Sequence, residues 1–176
     1  MDKKRGRQNA SLLAALNSAL ILLENLAVLI AAIALVAAVL LVAVNALSRH
    51  LFSLPLEFQL ELTEAYLLVM LISLALPWSF RNGGFIRITI FSELFNTHIW
   101  NYLFKLGLLA SSFYLGILGL EAFVIFKDAW VKNHLIMGVI DWPVAWSWIW
   151  IPIGCWLLSA RLVLMALNVG PQPRGH

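Results

Sequence analysis

A chain of 176 residues that is 62% hydrophobic and 12% charged, with a mean hydropathy of +0.89, carries more apolar surface than a soluble domain of this length can hide. The bilayer is therefore its main solvent. The formal net charge of +3 comes from basic residues scattered along the chain, and with no soluble domain to carry a groove it excludes a nucleic-acid-binding role.

Residues 1–9 form a basic tail. Ala10–Leu23 is apolar but carries Ser11, Asn17 and Ser18, with Glu24 and Asn25 just beyond. The 11/18/25 and 17/24 spacings are sevens, which puts these polar groups along one side of a helix. A single helix from Ala10 to Leu47 would run roughly 57 Å at 1.5 Å per residue, far more than one crossing needs. The expectation is an in-plane amphipathic helix within residues 1–25, bending into the first span near Glu24-Asn25. A signal peptide is the rival reading of the same stretch. The apolar character continues without a small-residue cleavage site, which argues against it.

Four runs then suffice to cross about 30 Å of hydrocarbon as helices of roughly 20 residues: Leu26–Leu47, about Glu61–Phe80, about Tyr102–Phe126 and about Trp142–Leu164. Strand alternation is absent, so the fold class is an all-α integral membrane protein with four transmembrane helices over 26–168 and a tail over 169–176. Of the eight tryptophans, Trp78, Trp100, Trp130, Trp142, Trp146, Trp148 and Trp150 cluster at the ends of runs, and Trp156 alone lies well inside one. Indoles prefer the headgroup level, so most mark interfaces. Lys3, Lys4, Arg5, Arg7, Arg81, Arg87, Lys105, Arg161 and Arg174 fall on one side, and Arg49, Lys127 and Lys132 on the other. Nine against three places both termini in the cytoplasm by the positive-inside rule.

The first connection, Ser48–Leu60, faces outward. The second, Arg81–Asn101, opens on the turn signal Asn82-Gly83-Gly84. Beyond it Ile86, Ile90, Leu94 and Phe95 can share a helical face, while Ile86, Ile88 and Ile90 suit an extended stretch equally well. The third, Lys127–Asp141, again faces outward. Pro143 suits the start of the last span, and Pro152 inside it predicts a kink. The paired broken helices of inverted-repeat transporters are not evident.

Few polar groups lie within the spans. Glu57, Glu61 and Glu64 recur at i, i+4 and i+7 on one face, where acidic residues at a helix N-terminus are favoured by the dipole. They could in principle bind a cation, but no His or further Asp stands at ligand spacing. Glu121 lies some five residues from the outer end of the third run, roughly 7–8 Å deep, where a carboxylate is costly unless paired, hydrated or protonated. An Arg49–Glu121 or Arg49–Glu61 contact is expected, or a pairing of Glu121 with a partner subunit. Arg161 and Lys105 read as headgroup anchors. Gly107, Gly116 and Gly119 can admit a close helix neighbour. Cys155, the only cysteine, reads as a small hydrophobe and rules out an internal disulfide.

The order of these features carries a resemblance. Arg49 follows the first span, a short loop holds Pro55, Glu61 opens the second span, and Gly83-Gly84-Phe85-Ile86-Arg87-Ile88 closes it. Glu121 lies in the third, and Pro143, Trp146, Pro152 and Gly154 in the fourth. Over about residues 26–168 the chain resembles the small membrane subunit (DctQ type) of tripartite ATP-independent periplasmic, or TRAP, transporters. It departs from that family's usual pattern at Phe85, where His is usual, at Thr89, often Asp, and at Glu57 or Phe58, where a Trp is usual.

The resemblance implies a bacterial inner-membrane protein that forms a stable complex with a large membrane subunit. It also implies transient contact with a periplasmic substrate-binding protein, through Ser48–Leu60 or Lys127–Asp141. In that family the large subunit carries the substrate and sodium sites, and the small one scaffolds it during uptake of organic acids such as C4-dicarboxylates or sialic acid. No enzyme activity and no cofactor are expected. The structural or interface candidates are Arg49, Glu61, Glu64, Gly83, Gly84, Arg87, Glu121 and Pro152, with phospholipids as surroundings. A self-sufficient multidrug exporter would need a carboxylate deep in the first span, where Asn45 is the only strongly polar residue. A disulfide-forming oxidoreductase would need paired cysteines. An assembly subunit of another membrane complex stays open.

Overall fold

A computed structural model describes residues 2–53, 56–84, 97–136 and 141–167, with the side chains of 2–11 and 97–100 outside that description. Among the described residues, four helical spans are long and apolar enough to cross a membrane: Leu12–Phe52, Phe58–Arg81, Asn101–Val131 and Val144–Ala166.

The first helix, α1, runs unbroken from Asp2 to Phe52, roughly 75 Å at the α-helical rise. No interruption occurs at Glu24-Asn25, where a bend was expected. The reason lies in the seam that α1 presents to its neighbours. Leu20, Glu24, Ala27, Ala31, Ala34 and Ala38 are its buried residues, spaced alternately four and three apart, the 3.5-residue period of long helix–helix contacts. Glu24 is thus one more inward position of a continuous stripe, and nothing at that point asks the helix to turn. Four alanines in that stripe let the next span approach closely. Ala27 and Ala31 pack on Leu74, with Met70, Leu71, Trp150 and Leu157 around them.

The second span is assembled from α2 (Phe58–Leu62), a π-helical turn over Thr63–Leu67 and α3 (Leu68–Arg81). A π turn holds an extra residue in the helix and is stable where a neighbour meets its displaced carbonyls. Here the Ser147 hydroxyl donates to the Ala65 carbonyl. Pro77 lies inside α3 and has no N–H, so the Ser73 carbonyl one turn earlier loses its intrahelical donor. The span ends as its Asn82-Gly83-Gly84 signal predicts. Gly83 takes φ 79°, its N–H bonds the Phe80 carbonyl, and the Gly84 N–H reaches back to Ser79 at 2.9 Å. That pair of bonds is a Schellman cap, which requires a left-handed residue at Gly83.

The third span lies in α4 (Thr97–Val131). It extends past the expected end at Phe126, so Lys127 and Asp128 are helical and Asp128 pairs with Lys132 at 2.7 Å. A short hairpin follows, with β1 (Leu135–Ile136) antiparallel to β2 (Trp142–Pro143). The last span comprises α5 (Val144–Trp148) and α6 (Trp150–Ala166). The helix is interrupted at Ile149, just ahead of buried Pro152. Pro152 cannot donate to the Trp148 carbonyl, and this places the break one turn before the proline that predicted a kink.

The spans form a row: α1 packs on α3, α3 on α6, and α6 on α4. Occupying an inner place in that row, α6 buries Leu158, Arg161, Leu162, Leu164 and Met165. The long helices α1 and α4 lie towards the two ends and keep broad apolar faces exposed.

Candidate functional site

The strongest polar constellation is centred on Glu24. Its side chain has no solvent exposure and meets two guanidinium groups. Arg161 binds it with both prongs, Nε to Oε1 at 2.5 Å and Nη2 to Oε2 at 2.7 Å. Arg81 adds Nη1 to Oε2 at 2.9 Å. Other groups of α1 take further donors: Asn17 Oδ1 receives Arg161 Nη1 at 2.9 Å, Asn25 Oδ1 receives Arg81 Nη2 at 2.6 Å, and the Ile21 carbonyl receives Arg81 Nη1 at 3.4 Å.

The helical spacing explains the assembly. Asn17 and Glu24 stand seven apart on the buried stripe of α1, and Asn25 sits at its margin. The Schellman cap stops the second span directly after Arg81. Arg161 projects from α6 with only 3% exposure, which corrects its expected role as a headgroup anchor. An arginine at this depth can reach a carboxylate on the facing helix, and pairing is more favourable than snorkelling past its neighbours. The polar stripe of residues 17, 24 and 25 therefore faces protein and ties α1, α3 and α6 together.

At the other end, Asn45 performs a second closure. Its Nδ2 donates to Gln59 Oε1 at 2.8 Å while its Oδ1 accepts from the Leu56 N–H at 2.8 Å. Gln59 in turn donates to Thr63 Oγ1 at 3.1 Å. The connection between the first two spans is thus clamped by one side chain. Tyr66 donates its hydroxyl to the Pro143 carbonyl at 2.6 Å, fixing the second span to the start of the fourth.

Between these two layers the contacts are close and nearly apolar. Gly154 of α6 lies so near the Ser73 backbone that a Cβ there would stand 2.7 Å from its carbonyl carbon. This is the carbonyl that Pro77 frees. Ser112 and Ser159 exchange hydroxyl-to-carbonyl bonds at 3.0 and 2.9 Å across α4 and α6. Of the three glycines expected to admit a neighbour on α4, Gly119 does so: the Trp156 indole lies against it. Trp156 also meets Phe123 at 5.7 Å between centroids. Gly116 approaches only the Ser159 hydroxyl, at 3.9 Å from where its Cβ would be, and Gly107 faces open space. Gly107 lines an apolar cavity of about 470 Å³ with Phe80, Phe104, Leu108 and Leu162. Cys155 is half-buried.

The sequence-derived candidates separate accordingly. Gly83 and Gly84 form the cap, and Pro152 is buried at the start of α6. Arg49 is exposed, Glu61 is half-buried, and Glu64 and Glu121 are exposed. No ion pair joins Arg49 to Glu61 or Glu121 among the described residues. Arg49 and Glu121 are both exposed, Glu121 on the outer face of α4. Arg87 and Pro55 lie outside the described residues, as does the segment read as either in-plane helix or extended chain. Sequence reasoning missed the central role of Glu24 and the alanine stripe. The 3.5-residue period through Ala27, Ala31, Ala34 and Ala38 was the available signal.

No three His, Cys, Asp or Glu side chains gather as a metal site among the described residues. No curated protein and no solved structure matches the chain. A family model does, that of the DctQ component of tripartite ATP-independent periplasmic transporters, over residues 38–169. The matched region takes in Arg81, Arg161, the Schellman cap and the Gly154 contact, and begins after Glu24. The chain is a multi-pass membrane protein and a transporter component, with no place among enzymes, and it belongs to the DctQ family of TRAP transporter subunits.

Proposed function

We propose that this chain is the small permease subunit that scaffolds the large transport subunit during sodium-coupled, binding-protein-dependent uptake of an organic acid, such as a C4-dicarboxylate or sialic acid. It resides in the bacterial inner membrane with both termini in the cytoplasm, as the distribution of Lys and Arg favours. The periplasmic binding protein touches it on its outward side, through Ser48–Leu60 or Lys127–Asp141, the latter opening with the last turn of α4.

One observation carries the scaffold reading. Glu24, the only fully buried carboxylate among the described residues, is consumed by Arg81 and Arg161. Intramembrane carboxylates that move ions or protons need access to a wet path, and this one has none. The row arrangement supports the same reading, because broad exposed apolar faces suit a protein that widens the fixed part of a larger assembly.

Reconstitution into liposomes tests it. The chain alone, the chain with its co-purified large subunit, and that pair with a binding protein loaded with candidate organic acids are compared under a sodium gradient. Uptake is expected only from the full set. Transport by this chain alone would overturn the proposal in favour of a self-sufficient carrier.

A further inference from the structure

Glu121 stands in an unusual place. Several contacts fix its level along the helix axes. Trp130 of α4 lies beside Trp146 at 6.2 Å between centroids, Gly119 lies under Trp156, and Ser112 meets Ser159. The two helices are therefore antiparallel, and Glu121 is level with Gly154 and Cys155, in the middle of the Val144–Ala166 span. It is roughly 13 Å deeper than Trp130 at 1.5 Å per residue. The shallower position expected from sequence assumed that the third helix ended at Phe126, and α4 continues to Val131. Glu64 makes the contrast: its neighbour Ala65 is level with Ser147, at the end of the span, where a carboxylate is an ordinary rim residue.

Despite that depth Glu121 faces outward. One turn to either side it has Ile117, Leu118, Val124 and Ile125, all apolar and all exposed. No cation occurs at the i±3 or i±4 positions of its own helix. Lys127, the next cation along the chain, is six residues on and lines a separate aromatic pocket with Phe126, Trp130 and Trp146. A carboxylate at mid-span normally faces protein or a wet cavity, paired with an opposite charge. A surface that presents one outward among exposed aliphatics is therefore an interior surface of a larger assembly.

We infer that the α4 face formed by Ile117, Glu121, Val124 and Ile125 docks a transmembrane helix of the large membrane subunit that carries an arginine or lysine at mid-membrane depth. This rests on the proposed subunit role. Among the described residues, a second copy of this chain offers no uncommitted cation at that depth. Arg81 and Arg161 are engaged by Glu24 and Lys132 by Asp128, while Arg49, Lys105 and Lys127 lie near the ends of their spans. Charge complementarity thus selects a different chain.

Photo-cross-linking in membranes tests the inference, with the full chain co-expressed with the large subunit. A benzophenone amino acid is placed singly at Ile117, Val124 or Ile125, with Ile33 and Val36 on the exposed face of α1 as controls. Adducts to the large subunit are expected from the α4 positions only, with the joined peptide bearing Arg or Lys within one turn. Glu121→Lys should lower recovery of the complex by at least about tenfold, and charge reversal of the cross-linked cation should restore it. Three outcomes would overturn the inference: an intact complex cross-linking through α1 instead, adducts only to a second copy or to lipid, or full recovery with Glu121→Lys. Failure of the native chain to co-purify with the large subunit would instead remove the subunit role, and this inference with it.

Discussion

Arg161 grips Glu24 through two parallel bonds of 2.5 and 2.7 Å, joining the last span to the first across nearly the whole chain. Arg81 completes the cluster from the second span. Burying Arg161 and Glu24, with Arg81 half-buried beside them, is not in itself a large source of stability, because desolvation offsets much of the attraction. What the cluster does supply is a register. The three helices fit together with all these groups satisfied in one alignment, and a slip of one turn in any helix would strand a charge.

Removing one partner should accordingly be severe. Glu24→Gln leaves two guanidinium groups facing a neutral amide, and Arg161→Ala leaves Glu24 with Arg81 alone. Each is expected to cost about 3–5 kcal/mol, read as a lowered melting temperature of the purified chain in detergent. Arg161→Lys should recover only part of the loss, since an ammonium cannot make the two-pronged contact. Equal stability of the wild type and Glu24→Gln would show that the cluster does not hold the helices together.

Gly154→Ala should destabilise by about 1–3 kcal/mol, because the added methyl meets the Ser73 backbone, which cannot rotate away as a side chain can. Gly107→Ala is the matched control. Its Cβ enters open space, and alanine favours helix over glycine by about 1 kcal/mol, so that variant should melt at or above the wild-type temperature. A reversed order would mean that α3 and α6 are not in contact at this point.

The cap at the end of the second span predicts a conformational signature. Gly83→Ala forces an L-residue into φ 79° and should cost about 1 kcal/mol or more. Gly83→Asn should cost less, because asparagine tolerates the left-handed region. The readout is thermal melting together with limited proteolysis after Arg81, where the alanine variant should be cut faster. Indistinguishable alanine and asparagine variants would show that the left-handed turn is not needed.

Ser112 and Ser159 offer a double-mutant cycle. Interhelical side-chain hydrogen bonds in membrane proteins average about 0.6 kcal/mol, so each single alanine variant should show a small loss. The double variant should lose less than the sum, since each hydroxyl contacts the other at 2.9 Å. Strict additivity would mean that the two serines act independently.

How legible the protein was in its sequence varied by element. The four spans were plain because an apolar run of about 20 residues has few other uses. The Asn82-Gly83-Gly84 stop was plain because only a few residue types tolerate a left-handed turn. Glu24 was placed on a polar stripe correctly, but whether that stripe met headgroups or other helices was not readable from α1 alone. Seven-residue spacing is the same for both surroundings. Arg161 was misjudged for the same reason: a basic residue near the end of a span is usually an anchor, and only the position of α6 inside the row turns it towards Glu24.

The sequence by itself therefore determined the solvent, the number of crossings, the turn that ends the second span and the family pattern. These follow from local hydropathy, backbone sterics and residue order, all of which act along the chain. The pairing of Glu24 with Arg81 and Arg161, the contact of Gly154 with Ser73 and the outward mid-span position of Glu121 were decided only by the tertiary structure. Each depends on which face of one helix meets which face of another, and between segments far apart in sequence that choice is made by the collective fit of all the spans.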